Sequence, residues 1–143
     1  MSLNVHKFAA IKGKQSGDDY FTVVCEMAII PRLFLFNEAT IPTELRAQRH
    51  INKTRIPEMA RYMVDNPKNY IFSALTASID GNLSFKPLKL NGKDSEIGEL
   101  EIAGDAKLMI NDGQHRRAAI EKALTENPDL ANDTISVVFF KDK

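Results

Sequence analysis

The feature that most constrains the fold is the stretch of residues 107–124, KLMINDGQHRRAAIEKAL. A short apolar run at residues 108–110 is followed by a polar turn, after which apolar residues recur at helical spacing. This pattern predicts a buried strand, a tight turn at Gly113 and a helix. In a domain of strands and helices, a ligand normally binds beyond the carboxyl end of a strand, where the next helix begins. Residues 112–117 fall at that position.

The first turn of this helix has the composition of an anion site. Gly113 is followed by Gln114, His115, Arg116 and Arg117. A helix start presents unpaired N–H groups and a partial positive charge, so the added imidazole and guanidinium groups make phosphate the natural ligand. Purely structural interpretations stay open as well. In these, the helix is an ordinary capped helix with its arginines in solvent, His115 makes only structural hydrogen bonds, and Gln114 only caps the turn.

A second basic stretch spans residues 45–56 and contains no acidic residue. Besides His50 it carries four cations: Arg46, Arg49, Lys53 and Arg55. The chain as a whole is neutral, with 19 basic and 19 acidic residues, so these cations form a local positive patch able to hold phosphate oxygens. The alternative is a solvated helix face that Glu44 and Glu58 partly balance.

Composition narrows the remaining classes. A chain of 143 residues with 43% hydrophobic content predicts one soluble domain with a substantial core, and a zero net charge argues against a globally basic nucleic-acid binder. The single cysteine, Cys25, excludes an internal disulfide and a cysteine-based zinc cluster, and it suits a reducing cytoplasm. Cys25 is either a small buried filler or a redox-sensing residue, and the second role needs an exposed thiolate. The three histidines lack metal-ligand spacing, so we expect no metal site. No apolar run is long enough for a membrane span.

The rest of the pattern predicts a mixed α/β domain. Residues 1–19 read as a loose lead-in. The predicted strands are 20–30, 70–79, 83–90, 96–103, 108–110 and 135–140, and the first predicted helix runs from Pro57 to Asp65. The order strand, helix, strand, hairpin, strand, helix, strand indicates an α/β (α+β) fold with a mixed sheet and flanking helices, formed as one domain over residues 1–143.

Two segments resemble one known family. The run Asn111-Asp112-Gly113-Gln114-His115-Arg116 is similar to the signature of the DGQHR-domain (DndB) family of bacterial DNA phosphorothioation systems. The upstream run from Gln48 to Glu58, with Tyr62 after it, is similar to the basic segment of that family. The resemblance spans roughly Leu33 to Phe140. Through this family the chain also resembles the ParB/sulfiredoxin superfamily, whose turn at a helix start holds a phosphate.

The resemblance implies roles for individual residues. The phosphate-turn positions would be Gly113, His115 and Arg116, with Asp112 shaping the turn. The second basic wall would consist of Arg49, Lys53 and Arg55. The implied protein is a cytoplasmic regulator that binds double-stranded DNA and represses the DNA sulfur-modification genes. Other modification proteins are implied as partners, and so is a homo-oligomer formed through a part beyond residue 143.

An enzyme is the alternative that the resemblance leaves open. A ParB-like nucleotide hydrolase or DNA nickase would bind a nucleotide with Mg²⁺, and His115 would act as general base or phosphate electrophile. Arg116 would stabilise developing negative charge, and Asp112 would orient His115 or bind the metal. The motif itself offers only this one carboxylate, with Asp105 and Glu121 as possible helpers, and no Walker-type loop is present. We therefore favour binding over catalysis.

Overall fold

The computed structural model describes residues 5–34 and 55–142. The chain divides into two compact units that are each discontinuous in sequence. We call residues 1–25, 73–112 and 134–143 the sheet unit, and residues 26–72 and 113–133 the helical unit. Among the described residues no helix combines the length and the apolar character that crossing a bilayer requires.

The sheet unit contains a seven-stranded sheet in the order β4-β5-β1-β2-β7-β3-β6. Its strands are β1 (Val5–Gln15), β2 (Asp18–Glu26), β3 (Leu75–Asp80), β4 (Leu83–Leu90), β5 (Lys93–Ala103), β6 (Lys107–Asp112) and β7 (Thr134–Lys141). The pairs β1–β2, β1–β5, β4–β5 and β3–β6 are antiparallel, whereas β3 and β7 run parallel. The predicted mixed sheet with helices in the same chain is thereby confirmed. Its likeness to the ParB fold stays a prediction.

Alternating side chains build the core of this sheet. Leu75, Ala77 and Ile79 of β3 are fully buried, with half-buried or polar residues between them. In the register, Leu75 lies beside Val137 and Ala77 beside Phe139, and these β7 residues are also fully buried. Burying one large aliphatic or aromatic side chain contributes about 1.5–3 kcal/mol. The period-2 pattern therefore fixes which face of β3 and β7 is turned inward.

A tight turn joins β4 to β5. Asn91 and Gly92 have φ angles of 53° and 77°, and Leu90 pairs directly with Lys93. Two consecutive positive φ angles define the hairpin turn whose twist matches that of the strands, and Asn-Gly is the favoured sequence for it. Because the turn takes only two residues, β5 begins at Lys93 and not at residue 96, where the sequence predicted its start.

The helical unit contains the three described α-helices. They are α1 (Ile30–Leu33), α2 (Arg55–Asp65) and α3 (Gln114–Glu126), with 3₁₀ helices at Met27–Ile29 and Pro128–Asn132. Buried apolar residues recur three and four positions apart on the longer two, namely Ala60 and Met63 on α2 and Ala119, Ile120 and Ala123 on α3. The helices α2 and α3 pack against each other, and α1 packs against α3. The helix predicted after residue 113 is confirmed.

Several boundaries predicted from the sequence are wrong. The supposed loose lead-in forms β1 over Val5–Gln15, an interior strand between β5 and β2. The strand predicted over residues 20–30 ends at Glu26, because the chain then turns into a 3₁₀ helix and α1. The strand predicted over residues 70–79 begins only at Leu75. The single-domain organisation stays a prediction.

Candidate functional site

The start of α3 has an unusual N-cap. Gly113 precedes the helix with φ at +112°, a left-handed conformation that non-glycine residues rarely adopt. Its carbonyl accepts the first helical hydrogen bond, from the backbone N–H of Arg117 at 2.9 Å. Most helices receive a side-chain oxygen at this position, but glycine has none to offer. The glycine predicted from the sequence is therefore required by the backbone of the turn.

Gln114, His115 and Arg116 form the first three residues of α3, and each is half-buried. We call them, together with Gly113, the helix-start site. The first turn of α3 contains no acidic residue, so no carboxylate there opposes the positive end of the helix dipole. A helix start of this kind stabilises a nearby negative charge by about 0.3–1 kcal/mol before any side-chain contribution. The helix-start site therefore has the electrostatic character that an anion requires.

Arg117 does not belong to this site, although the sequence suggested a phosphate contact. It is 6% exposed, and its Nε donates to the carbonyl of Phe34 at 2.6 Å. Its Nη2 donates to the carbonyl of Pro31 at 3.0 Å and lies 3.2 Å from Oε2 of Glu121. Because this guanidinium is buried and bonded to groups of the protein itself, its contacts argue against the predicted phosphate contact of Arg117. Arg117 instead ties the first turn of α3 to α1.

The second basic wall is represented in the described chain by Arg55 alone. Arg55 is exposed and begins α2, whose first turn also carries Glu58. Arg46, Arg49 and Lys53 lie outside the described residues. The pocket predicted from two basic segments therefore stays a prediction.

The three carboxylates that the enzyme alternative would use all lie within the described residues, at separate positions in the chain. Asp112 is exposed at the end of β6 in the sheet unit, and Asp105 is exposed in the turn before that strand. Glu121 is exposed but forms the ion pair with Arg117. In residues 5–34 and 55–142, no three His, Cys, Asp or Glu side chains are grouped so that they could hold a metal ion.

Cys25 lies in β2 and is 1% exposed. Burial raises the pKa of its thiol to about 12, because an apolar environment disfavours the charged thiolate. A redox-sensing cysteine needs an accessible thiolate near neutral pH. The burial and the pKa shift both favour the packing role over the redox role.

One polar contact of the helical unit was not visible in the sequence. The hydroxyl of Tyr70 donates to Oδ2 of Asp133, and the backbone N–H of Met27 donates to the carbonyl of Asp133 at 2.7 Å. Burial raises the pKa of Tyr70, and the neighbouring carboxylate raises it further. Tyr70 and Asp133 are 63 positions apart, so no local pattern relates them. Both bonds fasten Asp133, the residue that ends the 3₁₀ helix at Pro128–Asn132, to segments distant in sequence.

The fold is that of a mixed α+β protein, and its helix α3 begins with a first turn that carries basic and no acidic residues. A model of the DndB family, described as DNA-sulfur modification-associated, matches residues 8–143. The chain therefore belongs to the DndB family, and the predicted resemblance to that family is confirmed. Membership associates the chain with DNA sulfur modification. No curated protein matches the chain, and no solved structure does.

Proposed function

We propose that this chain is a DNA-binding regulatory protein of a bacterial DNA sulfur-modification (phosphorothioation) system and that the helix-start site contacts the phosphate backbone. The observation that carries the proposal is the start of α3, where a glycine N-cap precedes Gln114, His115 and Arg116 without an acidic residue in the first turn. Family membership supplies independent support, because the family is associated with a modification of DNA. The proposed target is double-stranded DNA near the modification genes, which the protein represses in the cytoplasm.

The chemistry favours a backbone contact over a base contact at this site. A half-buried arginine and histidine beside helix N–H groups offer several donors to one phosphate. Such contacts fix the position of a protein on the duplex and carry no sequence information of their own. The cations Arg46, Arg49, Lys53 and Arg55 would contribute further phosphate contacts, and other elements would select the sequence.

The decisive experiment is a duplex-binding titration over a range of salt concentrations. Each phosphate that the protein neutralises adds about 0.9 to the slope of log K against log salt concentration. We expect Arg116→Ala to weaken binding and to lower this slope by about 0.9. A matched control is Arg61→Ala, because Arg61 is an exposed arginine of the helical unit that already pairs with Asp65 and Glu126. A slope near zero for the unaltered protein, or equal effects of the two variants, would contradict the proposal.

The regulatory part of the proposal needs a separate test. Duplexes that contain the promoter of the modification genes should bind more tightly than random duplexes of equal length at the same salt concentration. A reporter under that promoter should be repressed by the unaltered protein and released by Arg116→Ala. Equal affinity for promoter and random DNA would contradict the proposed repressor role and would be consistent only with general DNA binding.

The enzyme alternative is separated by turnover. Nucleotide hydrolysis or duplex nicking is measured for the unaltered protein and for the double variant Asp112→Ala/His115→Ala. Turnover that disappears in the double variant would replace the regulatory proposal with a catalytic one. Loss of DNA retention, with no turnover in either protein, supports the regulator.

A further inference from the structure

We infer that Arg117 is a positioning residue for the phosphate contact and sets the orientation of α3 without touching the ligand. This inference rests on the proposed function of the helix-start site. It gives a role to an arginine that sequence alone places beside Arg116 as an equivalent cation.

Two nitrogen atoms of the Arg117 guanidinium are bonded to other groups of the protein. Nε bonds to the carbonyl of Phe34, and Nη2 bonds to the carbonyl of Pro31 and faces the carboxylate of Glu121. Pro31 lies within α1 and Phe34 caps its end. Carbonyls at the end of a helix lack partners within it and carry partial negative charge, so a buried cation is well suited to them. The planar fork of arginine reaches both carbonyls at once, which the single ammonium of lysine does not.

Helix geometry explains why this bond orients its neighbours. Successive residues of an α-helix are rotated by about 100° around its axis, so Arg116 and Arg117 project in different directions. Once Arg117 is bonded to α1, the rotation of α3 about its own axis is fixed at its first turn. That rotation decides where Gln114, His115 and Arg116 point. A site of convergent donors loses affinity when its supporting bonds are loosened, even if every donor remains.

The salt dependence distinguishes this role from a direct contact and from a purely structural one. A residue that touches phosphate changes both the affinity and the salt slope, as expected for Arg116. A positioning residue changes the affinity and leaves the slope unchanged, because the number of neutralised phosphates stays the same. A residue that only stabilises the fold changes the unfolding midpoint and leaves the affinity of the folded protein unchanged.

The test compares Arg117→Lys with Glu121→Gln and Arg116→Ala in the same titrations. For Arg117→Lys we expect roughly tenfold weaker DNA binding, the effect of losing about one charge-assisted hydrogen bond. The slope of log K against log salt concentration should be unchanged. Glu121→Gln keeps both carbonyl bonds of Arg117, so its affinity should stay within about twofold of the unaltered protein. Binding of Arg117→Lys at full affinity would overturn the inference, and so would a slope lowered by about 0.9.

A measurement on the unaltered protein keeps the inference testable if Arg117→Lys does not fold. The Nε–H signals of arginine side chains are followed by nuclear magnetic resonance during addition of duplex DNA. We expect the Arg116 signal to shift and the Arg117 signal to stay in place and protected from exchange. A large shift of Arg117 on saturation would refute the positioning role. If the unaltered protein and Arg116→Ala show no salt-dependent binding, the proposed function fails first and this inference fails with it.

Discussion

Replacing Gly113 with alanine gives the sharpest test of how the helix start is built. At φ of +112° a Cβ atom meets its own backbone, and holding a non-glycine residue in such a region costs about 1–3 kcal/mol. Alanine also restricts the unfolded chain, which offsets about 0.4–1 kcal/mol of that cost. We therefore expect Gly113→Ala to lower the free energy of unfolding by about 1–2 kcal/mol.

The assay is urea unfolding followed by circular dichroism, with the slope of the transition checked for change. Gly104→Ala is the matched control, because Gly104 is an exposed turn glycine whose φ is not positive. Its free energy of unfolding should stay within about 0.5 kcal/mol of the unaltered protein. If the two alanine variants proved equally stable, the backbone of Gly113 would not be strained for other residues. The account of the N-cap would then be wrong.

Three further predictions concern stability. Because burial raises the pKa of Cys25 from 9.0 to about 12, the unfolded chain loses this proton first as pH rises. We expect the difference in free energy of unfolding between the unaltered protein and Cys25→Ala, measured by urea titration, to be constant below pH 8. Between pH 9 and pH 10 the unaltered protein should lose roughly 1 kcal/mol of stability relative to Cys25→Ala. A difference that does not change with pH would show that the thiol is exposed. Tyr70→Phe should cost about 1.5 kcal/mol in the same assay, because it removes the donor to the Asp133 carboxylate, and an unchanged midpoint would refute that bond. Gly98→Ala should cost about 1–3 kcal/mol, since the added Cβ would lie 2.2 Å from the backbone carbonyl of Lys86, and a neutral result would mean that β4 shifts freely.

The parts of the fold that sequence could predict are those with a strong local signal. The apolar spacing after residue 113 predicted α3, and the strongly apolar run at residues 135–140 predicted β7. For β1 the chain offered only a short apolar patch, because the strand is completed by partners distant in sequence. Ile11, for example, pairs with Ile97, which lies 86 positions later in the chain. Tertiary pairing of this kind overrides a weak local preference.

The candidate site was predictable to the same extent. Gly113 follows from the turn that a strand-to-helix junction needs, and the basic first turn of α3 is visible in the printed sequence. The difference in burial between the half-buried Arg116 and the buried Arg117 was not predictable, because two adjacent arginines look alike in sequence. The acceptors of Arg117 are backbone carbonyls 83 and 86 positions away, and a carbonyl has no residue identity to recognise.

The place of β7 in the sheet has a consequence for synthesis on the ribosome. Of the described strands β7 is translated last, yet it lies between β2 and β3 and joins the four strands β4-β5-β1-β2 to the pair β3-β6. Until Thr134–Lys141 has emerged, the nascent chain holds two partial sheets whose facing edges have no strand between them. Unpaired edges of this kind recruit strands from other molecules. We expect a chain arrested before Thr134 to aggregate or to need a chaperone, and the emergence of Thr134–Lys141 to close the sheet.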